Sequence, residues 1–81
     1  MPITGVVVLT EKTKTDDVLA DLKNMKNVTT YGIHKDNYII AVFEGDTTKE
    51  IEIINDDIAK NVAGVLGVYP AYVNYEEDIE E

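Results

Sequence analysis

The sequence predicts a small α+β domain in which the elements follow the order strand, helix, strand, strand, helix, strand. Runs of β-branched residues alternate with helical apolar stripes, and turn residues separate them. The two halves of the chain are similar in sequence at one point, where Lys-Asn-Val recurs at 26–28 and at 60–62. Two such halves with right-handed crossovers form a four-stranded antiparallel sheet with both helices on one face. Residues 1–75 are therefore expected to fold as one ferredoxin-like domain.

The first quarter of the chain is predicted to be a strand followed by a helix. Residues 3–10 alternate as a β-branched strand. Thr15 is predicted to cap the helix, because its hydroxyl can accept a hydrogen bond from a free backbone N–H. Asn27 is predicted to end the helix in the left-handed conformation. The apolar stripe of this helix contains Val18, Leu22 and Met25.

The middle of the chain is predicted to be a β-hairpin. Residues 28–34 and 38–44 are the two strands, and residues 35–37 supply side chains that tolerate turn geometry. A two-residue turn at positions 36 and 37 would pair Ile33 with Ile40. That register would direct both isoleucines toward the helices.

The last part of the chain is predicted to contain the second helix and an edge strand. Asp46 or Thr47 can cap the helix, and Gly64 ends it. Residues 65–75 form the last strand, and its edge position explains how Pro70 is tolerated. The buried stripe of the helix contains Ile51, Ile54, Ile58 and Val62.

The composition favours a binding module over an enzyme. The chain has one His and no Cys, Arg or Ser, so covalent catalysis would depend on Thr or Lys. His34 lies near Asp36, but no third ligand is close in sequence, so we interpret both as a solvated turn. No cofactor and no metal are expected.

The net charge of -9 favours a cationic partner over nucleic acid or an anionic membrane. Residues 76–81 are acidic at five of six positions, and this tail is expected to fray. The alternative interpretation of the charge is solubility alone. The sequence has no signal-peptide pattern and no apolar run long enough to span a bilayer, so we expect a cytoplasmic chain without stable membrane association.

The sheet face that the helices leave uncovered is predicted to be apolar. If Val7 and Leu9 point toward the helices, Val6 and Val8 point away from them. The same alternation gives further outward residues, although a slip of one position would exchange the two sets. These residues are Ile39, Ala41, Phe43, Tyr69, Ala71, Val73 and Tyr75. Such a face is typical of a docking surface, and the alternatives are a sheet-to-sheet homodimer or a loop that covers it.

Three segments of the chain also resemble a known family. They are ITGVVVLT at 3–10, NYIIAVFEGD at 37–46 and GVLGVYPAYVNYEED at 64–78. Together with the order of elements they resemble the NapD family, the small cytoplasmic chaperones of the periplasmic nitrate reductase. The resemblance covers nearly the whole chain. It has two departures: Asn74 and Tyr75 stand where family members often carry histidines, and Pro70 interrupts the strand.

The resemblance implies a chaperone that binds the twin-arginine signal peptide of the nitrate reductase catalytic subunit. Such a chaperone delays Tat export until cofactor insertion is complete, and it carries no cofactor itself. The apolar stretch of the peptide would lie as a helix on the uncovered face, and its arginines would meet carboxylates at strand ends. The peptide-binding residues are then predicted to be Val6, Val8, Ile39, Ala41, Phe43, Glu44, Tyr69, Ala71, Val73, Tyr75, Glu76 and Glu77.

Two other functions are compatible with the same topology. A stand-alone regulatory domain of the ACT or AsnC-like kind would bind an amino acid between paired protomers, but the glycine-rich turn typical there is absent from residues 10–15. An acylphosphatase-type enzyme would need an Arg, which the chain lacks. The sequence therefore favours a non-enzymatic chaperone.

Overall fold

The computed structural model describes the backbone of residues 2–75 and the side chains of residues 2–71. Within this part of the chain, two α-helices and four strands follow the predicted order. A turn of 3-10 helix at Lys12–Lys14 precedes the first α-helix. The elements are β1 (Pro2–Thr10), α1 (Thr15–Lys23), β2 (Val28–His34), β3 (Tyr38–Glu44), α2 (Thr48–Asn61) and β4 (Val65–Tyr75).

The four strands form one antiparallel sheet in the order β2-β3-β1-β4. β4 is therefore an edge strand, as predicted. Both helices pack on the same face of this sheet. Val18 and Leu22 from α1 and Ile51 and Ile58 from α2 share one core cluster with buried side chains from β1 and β3. The ferredoxin-like arrangement predicted from the sequence is confirmed.

The second helix begins with a reciprocal cap. The Thr47 Oγ1 accepts a hydrogen bond from the Glu50 N–H at 3.2 Å, and the Glu50 Oε1 accepts one from the Asp46 N–H at 2.8 Å. The carboxylate also lies near the positive end of the helix dipole, which adds to the stabilisation. Of the two predicted caps, Asp46 and Thr47, it is Thr47 that caps this helix.

The prediction that Thr15 caps the first helix is wrong. The cap position is Lys14, and Thr15 lies inside the helix with its side chain buried. Its Oγ1 is 2.7 Å from the Thr10 Oγ1. The hydrogen bond between these two hydroxyl groups therefore connects the start of α1 to the end of β1. At its other end α1 stops at Lys23, so the prediction that Asn27 ends the helix is wrong. Asn27 lies in the following turn and has a φ of 68°, the left-handed conformation that was predicted.

The turn between β2 and β3 contains three residues, at positions 35–37. His34 pairs with Tyr38 and Ile33 pairs with Ile39, so the predicted pairing of Ile33 with Ile40 is wrong by one position. The third turn residue, Asn37, is held by the end of β1. Its Nδ2 donates to the Thr10 carbonyl at 3.1 Å, and its own carbonyl accepts from the Thr10 N–H at 3.0 Å. These hydrogen bonds retain Asn37 in the turn and shift the register.

The orientation predicted for β1 and β3 is also wrong. The five residues expected to point outward are buried beneath the helices, and each is no more than 2% exposed. They are Val6, Val8, Ile39, Ala41 and Phe43. The residues expected to point toward the helices are half-buried on the opposite face. They are Val7, Leu9, Ile40 and Val42.

The physical reason for this orientation lies at the ends of β3. Side chains alternate along a strand, so Tyr38 and Glu44 share a face with Ile40 and Val42. Directing that set toward the helices would bury a carboxylate, which is costly without a partner. The observed orientation leaves Tyr38 and Glu44 exposed and buries Phe43 instead.

The edge strand β4 pairs with β1 through two irregularities. Pro70 pairs with Val6 and Tyr72 pairs with Gly5, so Ala71 is an extra residue in β4. A second shift lies at the start of the strand, at Leu66. Each shift changes which positions of β4 lie opposite a given face of β1, so a simple alternation along residues 65–75 does not hold.

Candidate functional site

We call the sheet surface opposite the helices the open face. In an antiparallel pair, residues directly opposite each other lie on the same face, so the register assigns the positions. On β2 the open-face positions are Thr29 and His34. On β1, β3 and β4 they include Ile3, Gly5, Val7, Leu9, Tyr38, Ile40, Val42, Glu44, Gly67 and Tyr69. This surface is apolar at its centre and polar at its ends.

The centre of the open face is a row of three side chains that crosses three strands. Val7 pairs with Ile40 on β3 and with Tyr69 on β4. Val42 lies beside this row, opposite Gly5. Since α1 and α2 both pack on the other side, the half-buried state of Val7, Ile40 and Val42 comes from contact among cross-strand neighbours. The row therefore offers apolar surface to an outside molecule.

Tyr69 contributes the most exposed aromatic surface of this row. Its side chain is 54% exposed, and Tyr38 at the other side of the face is 37% exposed. The Tyr69 ring lies over Gly67, where an added Cβ would come within 2.7 Å of the ring carbon Cε2. Gly67 thus leaves the space in which the ring lies across the sheet.

The rim of the open face carries charge at one end. Glu44 is exposed at the end of β3, where it pairs with Ile3. Next to it, Asp46 and Glu50 line a cavity of about 470 Å³ together with Lys26. Three carboxylates and one ammonium group therefore flank this corner, which gives it a negative potential.

The other side of the sheet has a groove between α2 and β4. It forms a cavity of about 390 Å³ whose lining includes Thr4, Phe43 and Pro70. Glu52 and Asp56 of α2 lie along the same groove and are exposed. Pro70 immediately follows Tyr69 in β4, so the groove and the open face meet at this edge of the sheet.

Two of the predicted site residues, Tyr69 and Glu44, occupy open-face positions. Ala71 is exposed, but it is the unpaired residue at the irregularity of β4, so the register assigns it to neither face. Val73 and Tyr75 belong to β4, but their side chains lie outside the described residues, as do Glu76 and Glu77.

The other five predicted residues do not reach the open face, because they form the core beneath the helices. The apolar residues that take their place are Val7, Ile40 and Val42. Ile40 and Val42 can be identified from the sequence, because they alternate in phase with the polar residues Tyr38 and Glu44. Val7 lies on the same face because it pairs with Ile40.

No three His, Asp or Glu side chains within the described residues are arranged to hold a metal ion. No helix in this part of the chain is long and apolar enough to cross a membrane. The chemistry that the described surface offers is therefore an apolar face, carboxylates at its rim and a groove at its edge.

The sequence matches the family model described as NapD protein over residues 1–77. The fold is similar to the solution structure of the E. coli Tat proofreading chaperone protein NapD, with a TM-score of 0.78 and 21% sequence identity. The similarity covers 94% of this chain and 80% of the E. coli chain. No curated protein matches the sequence significantly. At this level of identity, the structural similarity shows the shared fold alone.

Proposed function

Because the chain belongs to the NapD family, we propose that it is a Tat proofreading chaperone that binds a twin-arginine signal peptide. The observation that carries the proposal is the family match over residues 1–77, which spans all the described strands and helices. The E. coli protein with the same fold is described as a Tat proofreading chaperone. In this proposal the chain acts in the cytoplasm as a binding protein and not as an enzyme, and binding of this kind requires no catalytic residue.

The partner in this proposal is the signal peptide of the catalytic subunit of the periplasmic nitrate reductase. The chaperone holds that subunit back from export until its cofactors have been inserted. Because the interaction is non-covalent, the peptide can be released to a competing translocase once maturation is complete.

The open face is the surface on which the apolar stretch of the peptide lies. A peptide helix placed across the row of Ile40, Val7 and Tyr69 would bury apolar area on both partners. That burial stabilises the complex by about 25 cal/mol for each Å² removed from water. The exposed ring of Tyr69 adds a rigid aromatic surface of the kind that is enriched at binding interfaces.

The charge of the chain supports the arginine part of the proposal. A net charge of -9 attracts a basic peptide and speeds its arrival. Among the described residues, Glu44 is the carboxylate at the end of the open face. Glu76 and Glu77 stay predicted contacts, because they lie outside the described residues.

The proposal is tested by calorimetric titration with a synthetic signal peptide from the nitrate reductase of the same organism. A Lys-Lys variant of the peptide is titrated in parallel. We expect tight binding of the twin-arginine peptide and weaker binding of the Lys-Lys peptide, since lysine cannot form the bidentate contacts of a guanidinium group.

Two outcomes would count against the proposed function. Absence of heat at tens of micromolar peptide, at two temperatures because apolar burial can have an enthalpy close to zero at one of them, would exclude a useful affinity. Equal affinity for the two peptides would exclude recognition of the arginines. In the first case the amino-acid-binding dimer becomes the alternative to examine, by measuring the oligomeric state with and without free amino acids.

A further inference from the structure

The open face is longer along its strands than across them. Its positions on β1 extend from Ile3 to Leu9, a distance of about 20 Å. The four strands side by side span about 14 Å in the other direction. A helix is about 10 Å wide and rises about 1.5 Å per residue, so about 13 residues of helix laid along the strands cover this face.

Apolar side chains continue along the whole length of β1 on this face. Ile3, Val7 and Leu9 are half-buried there, and Val42 of β3 lies opposite Gly5, where β1 has no side chain. A peptide helix aligned with the strands therefore contacts apolar groups from one end of the face to the other. A helix of the same length turned across the strands would project beyond the edges of the sheet.

The two ends of the open face differ in charge. At one end Glu44 lies on the face itself, with Asp46 and Glu50 next to it. β4 also ends there, because Tyr75 pairs with Pro2, and five of the six residues that follow in the sequence are acidic. Acidic residues therefore outnumber lysines at the Glu44 end.

The opposite end of the face brings together two segments that carry more lysines than acids. The Thr10 N–H donates a hydrogen bond to the Asn37 carbonyl, which holds the start of the 3-10 turn beside the turn between β2 and β3. The charged residues exposed in these segments are Glu11, Lys12, Lys14, Lys35 and Asp36. The potential along the open face is therefore more negative at the Glu44 end than at the Tyr38 end.

A twin-arginine peptide has a direction that matches this difference. Its arginines precede the apolar stretch, and the N-terminal end of a helix also carries a partial positive charge. We propose that the peptide lies along the strands with its arginines at the Glu44 end and the far end of its apolar stretch at Tyr38, an inference that rests on the proposed function. The peptide helix then runs parallel to β1. The reverse direction would bring the arginines to the lysines at the Tyr38 end.

The first test measures the direction with a nitroxide label on the protein. The chain contains no cysteine, so a single cysteine gives a single label. Thr29→Cys and His34→Cys form a matched pair, since both are exposed open-face positions of the edge strand β2, opposite Val42 and Tyr38 respectively. The label broadens the NMR signals of nearby peptide amides. A label at Asp17→Cys on α1, on the other side of the sheet, is the control.

We expect the label at position 29 to broaden the signals of the arginines, and the label at position 34 to broaden the end of the apolar stretch. The opposite pattern would overturn the direction, and broadening of the same peptide residues by both labels would overturn the alignment along the strands. Broadening that is strongest from the control label would exclude the open face. If calorimetry finds no binding to the unmodified protein, it is the proposed function that fails.

The second test exchanges charge between the two ends without changing the net charge. Glu44→Lys/Lys35→Glu should weaken binding of the twin-arginine peptide by about threefold to tenfold, because the arginines then meet an ammonium group. The matched control is Asp21→Lys/Lys23→Glu, an exchange between exposed positions of α1 on the other side of the sheet, which should leave the affinity unchanged. Equal affinities of the two variants would show that the charge difference between the ends does not direct the peptide, and would overturn that part of the proposal.

Discussion

The two faces of the sheet are built from similar aliphatic side chains, yet they differ in what buries them. On the helix side, Val8, Ile39 and Phe43 are fully buried by α1 and α2. On the open face, Val7 and Ile40 are half-buried by neighbouring strands alone. The difference shows that apolar character does not decide which face becomes the core. The polar residues at the ends of β3 decide it, and the face they share is the one that α1 and α2 leave uncovered.

The largest expected effect comes from placing a charge on each face in turn. Val8→Asp should prevent folding, because it buries a carboxylate without a partner and costs about 4 kcal/mol or more. Val7→Asp should retain most of the melting temperature and abolish binding of the signal peptide. Circular dichroism melts and calorimetric titration measure the two effects.

A matched control for these charge variants is Ala59→Asp. Ala59 is exposed on α2 and lines neither the corner cavity near Glu44 nor the groove beside β4. This variant should retain both the fold and the peptide affinity. If Val8→Asp melted normally while Val7→Asp unfolded, the assignment of the two faces would be reversed.

A second pair of variants compares neighbouring positions of β3. Phe43→Ala removes the largest fully buried side chain and should lower the free energy of unfolding by about 3–5 kcal/mol. Val42→Ala on the open face should lower it by about 1 kcal/mol, because the site is only partly covered. Urea denaturation measures both values, and similar losses would argue that the open face is part of a second core.

The salt dependence of peptide binding distinguishes the contribution of the apolar centre of the open face from that of its acidic rim. Raising the ionic strength should weaken binding of the twin-arginine peptide by about threefold to tenfold, because exposed charge pairs are screened. A Lys-Lys peptide should show the same dependence, and a Gln-Gln peptide a much smaller one. A flat response for the twin-arginine peptide would exclude a contribution from the carboxylates.

The smallest expected effect concerns the space beneath Tyr69. Gly67→Ala places a methyl group where the ring lies, so the ring must move off the sheet. We expect a change in stability of about 1 kcal/mol or less, because Tyr69 is largely exposed and can rotate away. Peptide affinity should fall by about twofold to fivefold. Titration of Tyr69→Ala measures the largest loss of peptide affinity that the ring can account for. If neither variant lost affinity, Tyr69 would not be part of the binding surface.

The order of the elements could be predicted from the sequence because it depends on local patterns. Thr47, one of the two predicted caps, and the left-handed conformation of Asn27 depend on the chemistry of one or two residues, and both are observed. The end of α1 was predicted too late, because the helix stops at Lys23. The extra residue at Ala71 was not predicted, since nothing in the alternation of β4 indicates where its register with β1 will shift.

The orientation of the central strands could not be derived from their apolar residues alone. Val6, Val7 and Val8 are identical in chemistry, so β1 gives no preference between the faces. The preference comes from β3, where Tyr38 and Glu44 fix the exposed side, and from the three-residue turn that sets its register. The residues predicted for the centre of the open face were thus the ones that form the core, and Val7, Ile40 and Val42 lie on that face instead.

Both edges of the sheet are interrupted, and this has a consequence for self-association. β2 contains an irregularity between Thr30 and Ile33, where Gly32 has a φ of 108°. β4 contains Pro70, which has no N–H, beside the extra residue Ala71. A continuous strand edge would be a template on which further copies could add and aggregate. The described sheet can therefore expose an apolar face without offering a continuous strand edge of the kind from which fibres grow.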